Sequence, residues 1–193
     1  ELSGCIQNFR LIADKIPGFR TGWFFADSDA YKWLDAASRS IATLPNLQIS
    51  AHLDTLIDLI VRTQSNDGYI FTYNQFHFPN SRWENLQIEH ELYCHGHLIE
   101  AGISHFKATG QKTLLTTVIK AADLICSTFL NSGFDKTPGH EEIEIALIRL
   151  YDLTGDCRYV EMAEQFLEKR GRQSLPVFAW KMTKEKRLIS ALS

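Results

Sequence analysis

Apolar residues recur along most of this chain at spacings of three and four, the period of a helix with one buried face. Cys5, Phe9 and Ile12 mark a first helix over about 4–16. Asp27 or Ser28 can cap a second, in which Trp33 and Leu34 begin the apolar face and which Pro45 closes. Ile49, Leu53, Leu56, Ile57 and Ile60 carry a third, ending before Asn66-Asp67-Gly68, a turn signal because these residue types tolerate positive φ. Tyr69-Ile70-Phe71-Thr72-Tyr73 is the one strand-like run. It leads into a long aromatic loop with Phe76, His77, Phe78, Pro79 and Trp83, a length that in a compact domain goes with function or with covering a core edge.

The second half repeats itself. A helix from about Glu84 ends at Thr109-Gly110, and the next carries Leu115, Val118, Ala122, Ile125 and Phe129. Another begins near His140 and ends at Thr154-Gly155, followed by a partner with Tyr159, Val160, Ala163, Phe166 and Leu167. The two Thr-Gly corners lie 45 residues apart, each joining two antiparallel helical patterns. Glycine suits the residue after a helix, which commonly turns left-handed. The pattern predicts an all-α fold of stacked helical hairpins, a solenoid or a closed toroid, and periodicity does not choose between them. It decays after Gly171, so residues 1–171 read as one domain and 172–193 as a divergent tail.

Composition narrows the partners. A net charge of −3, with no stripe of Lys and Arg, leaves no footprint for nucleic acid; the basic run Lys181 to Arg187 reads as a solvated tail. No apolar run approaches the roughly 18 residues a membrane span needs. The chain opens at Glu1-Leu2-Ser3 without Met, so the lack of a signal peptide carries little weight. Cys5, Cys94, Cys126 and Cys157 are far apart and form no C-x-x-C pair. They read as reduced thiols of a cytoplasmic protein, three of them small buried side chains.

Candidate chemistry concentrates in His90-Glu91-Leu92-Tyr93-Cys94-His95-Gly96-His97-Leu98-Ile99-Glu100-Ala101. As one helix it stacks His90, Cys94 and His97 on one stripe and Ile88, Leu92, Gly96, Ile99, Ile103 and Phe106 on an apolar one. One metal ion cannot take all three polar residues. His97 stands two turns from His90, roughly 10 Å along the axis, and zinc bonds are only about 2.0–2.3 Å. A polar, sugar-facing wall is the better reading, because neutral imidazole can donate and accept hydrogen bonds to hydroxyls. His95 and His97 taken alone read as packed or surface residues. His140 opens a helix whose first turn holds Glu141, Glu142 and Glu144. Glu141 and Glu142 are explained by the helix dipole, whereas a neutral histidine there suits a site. Paired carboxylates for glycoside hydrolysis can be sought among Asp27, Asp29, Glu89, Glu91 and Glu100, most of which are expected to be caps or surface charges. No G-x-S-x-G, P-loop or dinucleotide fingerprint is present.

These segments resemble the bacterial β-L-arabinofuranosidases of glycoside hydrolase family 127. The resemblance runs through Asp27-Ser28-Asp29-Ala30-Tyr31-Lys32-Trp33-Leu34, Gln64-Ser65-Asn66-Asp67-Gly68-Tyr69, the histidine segment above, Gly139-His140-Glu141-Glu142-Ile143-Glu144-Ile145-Ala146-Leu147 and Arg149-Leu150-Tyr151. It implies part of an (α/α)6 toroid whose inner helices line a sugar pocket, with His90 and His140 binding the arabinofuranose. It also implies a zinc-bound cysteine thiolate as nucleophile and a glutamate acid/base, with the zinc held by a Glu-x-Cys segment and a Cys-Cys pair. This sequence has no Cys-Cys pair. The expectation is therefore a glycosidase fragment holding one wall of the pocket, with no catalytic residue, zinc ligand or cofactor of its own. It would be inactive alone, bind a small arabinofuranoside-like saccharide, and self-associate or pair with a missing C-terminal half. A non-catalytic helical-hairpin module binding a saccharide or protein is the alternative, and another α/α-toroid sugar hydrolase, of the unsaturated glucuronyl hydrolase type, is a third.

Overall fold

The computed structural model describes residues 3–131 and 137–170. Eight helices and no strand occur among them: α1 Cys5–Ala13, α2 Asp27–Thr43, α3 Leu47–Thr63, α4 Thr72–His77, α5 Glu91–Thr109, α6 Thr113–Phe129, α7 Ile143–Thr154 and α8 Cys157–Lys169. No helix among the described residues is long and apolar enough to cross a membrane. The tail assigned to 172–193 lies outside them.

Side-chain contacts order these helices into two layers. Helices α2, α5 and α7 lie side by side. They run parallel, because Phe25–Cys94 and Arg39–Glu100 advance together along α2 and α5, as Glu142–Gly96 and Arg149–Glu100 do along α7 and α5. Outside them pack α3, α6 and α8, with Asp123–Arg158 and Phe129–Gln165 tying α6 to α8. Each inner helix returns through an outer one, so the hairpins α2/α3, α5/α6 and α7/α8 form an arc of a two-layered α/α toroid.

The corners are built as the sequence predicts. Gly110 and Gly155 follow α5 and α7 at φ 74° and 75°, their N–H groups donating to Phe106 and Tyr151 carbonyls. A Cβ at either would meet nothing within 4 Å, so glycine is there for its backbone freedom and not for space. Asn46 starts α3 earlier than the apolar pattern suggests, its Oδ1 accepting from Gln48 and Ile49 N–H at 3.0 Å.

Four expectations change. The strand-like run is no strand: Tyr69, Ile70 and Phe71 are a buried plug, and Thr72 opens α4. Aromatic and β-branched residues there serve burial, and their propensity does not dictate conformation when no partner strand is near. Helix α5 starts at Glu91 and not Glu84, because the Ile88 and Glu89 N–H groups both turn back to the Asn85 carbonyl at 3.0 Å and His90 is left-handed. Helix α7 starts at Ile143, held back by Glu142 at φ 132°. Trp33 is half-exposed while Leu34, Tyr31 and Ala30 are buried, so the α2 core face is rotated away from the indole.

Candidate functional site

The loops preceding the three inner helices meet at one end of the arc. The first, before α2, is held by Arg20. Its guanidinium donates to Thr72 Oγ1 at 3.0 Å and to the Gly22, Trp23 and Phe24 carbonyls at 3.2, 3.0 and 3.2 Å, and lies 3.6 Å from Asp27. Asp27 in turn accepts from Thr72 N–H at 2.6 Å and its hydroxyl at 2.5 Å. Burial raises the Asp27 pKa, a larger effect than the opposing pull of Arg20. This staple fixes Phe24 and Phe25, whose rings pack 5.3 and 5.4 Å from that of His90.

The second loop ends in His90, just before α5. Beneath it lies Glu91, fully buried, accepting from the Trp83 N–H at 2.9 Å and the Tyr69 hydroxyl at 2.5 Å. Burial lifts its pKa to about 7 in spite of those donors. With the loop so anchored, His90 sits at φ 61°, ψ 27°, a left-handed conformation that costs a non-glycine residue about 1–2 kcal/mol. Its Nδ1 meets the Ile88 carbonyl. A carbonyl can only accept, so Nδ1 carries the proton and Nε2 is left as an acceptor.

The third loop docks on the second. Gly139 N–H donates to the Leu86 carbonyl at 3.1 Å, and Gln87 Nε2 donates to the Thr137 carbonyl and hydroxyl, both at 3.0 Å. A Cβ on Gly139 would lie 2.5 and 2.6 Å from Gln87 C and Cα, and closer still to its carbonyl oxygen. Gly96 performs the same service on α5, where a Cβ would come within 3.0 Å of the Glu142 and Ile143 backbone. This close docking sets the His140 ring 5.4 Å from that of His90. His140 Nδ1 donates to the Glu141 carbonyl at 3.0 Å, so its Nε2 is also an acceptor. No described residue meets Nε2 of either ring. Burial, followed by His140 and Lys32 as lesser influences, lowers the His90 pKa, so its imidazole is neutral at pH 7.

Of the residues singled out in the sequence, His90 and His140 come together, and Cys94 does not join them. Cys94 is fully buried, facing the Phe25 carbonyl at 3.8 Å, and burial holds its thiol far above the usual range. The expected stripe dissolves because His90 lies outside the helix. His95 is also core: its Nδ1 donates to the Glu91 carbonyl at 2.8 Å and burial depresses its pKa to about 4. His97, by contrast, joins the cluster through Tyr93, whose ring lies 4.5 Å from His97 and 4.6 Å from His140. Tyr93, with Lys32 donating to its hydroxyl at 2.7 Å, escaped sequence reasoning. The i, i+4 spacing of Tyr93 and His97 was the available signal.

Glu142 does more than complement a dipole, since its carboxylate stands 3.3 Å from His97 Nδ1. Among the other carboxylates, Asp27, Glu89 and Glu91 are buried, and Glu100 bridges Arg149 and Arg39. Asp29 faces a separate groove of about 710 Å³ between α1, α2 and α3, lined by Trp33, His52 and Arg10. No group of three or more His, Cys, Asp or Glu suited to a metal occurs among the described residues. Cys94 keeps its proton at neutral pH, so these residues do not fit the thiolate-bound zinc that the resemblance implies, and no chemistry is routed through it.

This arrangement has counterparts. The sequence profile of the β-L-arabinofuranosidase GH127 catalytic domain matches residues 5–188. A non-reducing end β-L-arabinofuranosidase of Bifidobacterium longum subsp. longum is 34% identical over 176 residues, which make up 88% of this chain and 27% of that protein. The crystal structure of a GH127 β-L-arabinofuranosidase from Geobacillus stearothermophilus T6 superposes with a TM-score of 0.86 at 39% identity, covering 92% of this chain and 28% of the other. Another GH127 β-arabinofuranosidase gives 0.81 at 32% identity, over 90% and 29%. The chain thus spans little more than a quarter of the length of these relatives. By this match along nearly its whole length, the chain belongs to the GH127 β-L-arabinofuranosidase-like family of glycoside hydrolases.

Proposed function

We propose that this chain supplies one wall of the sugar pocket of a glycosidase that removes terminal β-L-arabinofuranosyl groups or a closely related sugar. The observation that carries the reading is the His90–His140 pair: two imidazoles 5.4 Å apart, each with Nδ1 occupied and Nε2 presented as an acceptor. Two fixed acceptors select a ligand with neighbouring hydroxyl donors. Phe24 and Phe25 close the side of the pair, giving the apolar surface and few placed polar groups of a small-ligand site.

The thiolate nucleophile implied by the resemblance has no counterpart beside this pair. Cys5, Cys94 and Cys126 are buried and Cys157 lies on the outer helix α8. Nucleophile, acid/base and zinc ligands are therefore contributed from outside the described residues, and the chain alone binds sugar without hydrolysing it. Trp33 on α2 and Ile145 and Ile148 on α7 leave apolar surface at the flanks of the inner layer, which suits further hairpins or a second copy. Four free cysteines fit a reducing, cytoplasmic setting.

The test is binding of methyl β-L-arabinofuranoside to the purified chain by ligand-observed NMR, beside hydrolysis of a chromogenic β-L-arabinofuranoside with and without zinc. His90→Ala and His140→Ala should each weaken binding about tenfold, the worth of one well-placed hydrogen bond, and no turnover should appear. Binding indifferent to both substitutions would refute the pocket. Turnover abolished by His90→Ala would show instead that the chain carries a complete catalytic site.

A further inference from the structure

Residues 84–90 carry contacts that set both histidines. The Ile88 carbonyl takes the His90 Nδ1 proton. The Leu86 carbonyl takes the Gly139 N–H at 3.1 Å, and Gln87 Nε2 donates twice to Thr137 at 3.0 Å, which seats the loop of His140. Both ends of this stretch are left-handed, with Trp83 at φ 64° and His90 at φ 61°, a conformation that side chains beyond glycine disfavour. The turn inside it, where the Ile88 and Glu89 N–H groups donate to the Asn85 carbonyl at 3.0 Å, reaches neither end. Burial of Leu86 and Ile88 holds the stretch on the core without fixing the backbone at 83 and 90.

One side chain joins the two ends. Glu91, next to His90, takes the Trp83 N–H on its two carboxyl oxygens at 3.1 and 2.9 Å, and the Tyr69 hydroxyl at 2.5 Å. The partners are themselves held. Asn74 Nδ2 donates to the Tyr69 oxygen at 3.4 Å, and the Trp83 ring packs 5.1 Å from Tyr69 and 5.3 Å from both His95 and Phe129. His95 Nδ1 donates to the Glu91 carbonyl at 2.8 Å, so the backbone behind the carboxyl is fixed as well. Glu91 is fully buried, and bulk solvent does not stand in for its carboxyl when that group is removed.

We infer that Glu91 is a positioning residue for sugar recognition: its carboxyl clasps the loop from 83 to 91 shut, and the closed loop holds the His90 imidazole on Ile88 and keeps the Leu86–Gln87 edge in shape for the loop of His140. It acts through main chain and not by touching the sugar. The clasp needs an acceptor for the Trp83 N–H and a polar partner for the Tyr69 hydroxyl. Glutamine supplies both, and leucine, of similar size, supplies neither. The inference rests on the sugar-binding reading above, and its test separates the two.

Two readouts on the full chain test it: isothermal titration with methyl β-L-arabinofuranoside, and long-range ¹H–¹⁵N spectra, which tell the Nδ1–H tautomer of a histidine from the Nε2–H one. Glu91→Leu should weaken the sugar about tenfold, the worth of one well-placed hydrogen bond. It should also turn His90 from a single Nδ1–H tautomer into an exchanging mixture, which a loss of stability alone does not do. Glu91→Gln should recover most of both. Thermal melts show whether each variant folds; should Glu91→Leu not fold, Tyr69→Phe decides, with about threefold weaker binding and the same change at His90. A folded Glu91→Leu protein with wild-type affinity and tautomer, or a Glu91→Gln protein no better than Glu91→Leu, overturns the positioning role. A wild-type chain that binds no sugar overturns the pocket instead, and the His90 tautomer still decides whether Glu91 holds the imidazole.

Discussion

Replacing Gly139 by alanine tests how the two histidines are brought together. The new Cβ would start 2.5–2.6 Å from Gln87 C and Cα, where ordinary contact begins near 3.4 Å. The obstacle is main chain anchored by its own hydrogen bonds, so the clash is relieved only if the segment 137–142 lifts by roughly 1 Å. Lifting puts at risk the Gly139–Leu86 bond and the two bonds from Gln87 to Thr137. At about 0.5–1.5 kcal/mol each, their loss amounts to about 1.5–4 kcal/mol. It also carries the His140 ring away from His90, so affinity for methyl β-L-arabinofuranoside should fall about tenfold or more. Urea unfolding, with a sugar titration on the same samples, reads both effects. A Gly139→Ala protein with the wild-type midpoint and affinity would show that the docking of these loops does not set the site.

Three further outcomes follow from the buried charges. Arg20→Met should cost about 3–5 kcal/mol by denaturation, since it strands Asp27 without its counter-ion, and Arg20→Lys should recover only part. Glu91 has its pKa raised from 4.5 to about 7, so the fold gains from its proton fully below pH 4.5 and loses that gain as pH rises through 7. Relative to wild type, Glu91→Gln should therefore gain roughly 3 kcal/mol between pH 4.5 and 8, with identical pH profiles of unfolding refuting the assignment. The comparison cancels His95 and His97, whose pKa values near 4 remove stability as pH falls below 6.5. Glu100→Gln should cost about 1 kcal/mol or less, because Arg39 and Arg149 are half-exposed and water takes over their solvation; a loss above about 3 kcal/mol by thermal melting would contradict this.

The helical repeat was legible because it is local. Gly110 and Gly155 announce their corners within a few residues, and the apolar spacing of α3, α5 and α6 survives in the fold. The sequence offers His90 and His140 through the segments around them, and the structure places their rings side by side. What escaped depended on pairs distant in sequence. Lys32 and Tyr93 are 61 residues apart, and nothing near either announces the other. The histidine stripe misled for a different reason: helical spacing extends backwards without limit on paper, and the true start is set by a left-handed residue at 90. Tyr69–Tyr73 misled because strand-forming side chains are also good core side chains, and Asp27, far away in the chain, captures the Thr72 N–H to open a helix.

Glycine at position 90 would relax the left-handed backbone by roughly 1 kcal/mol or more and erase the imidazole in the same change. On the sugar-binding role proposed for His90, endurance and recognition pull in opposite directions at a single codon. A library of variants sorted for heat resistance alone would discard this histidine early, and one sorted for sugar capture would keep it at the cost of a lower melting point.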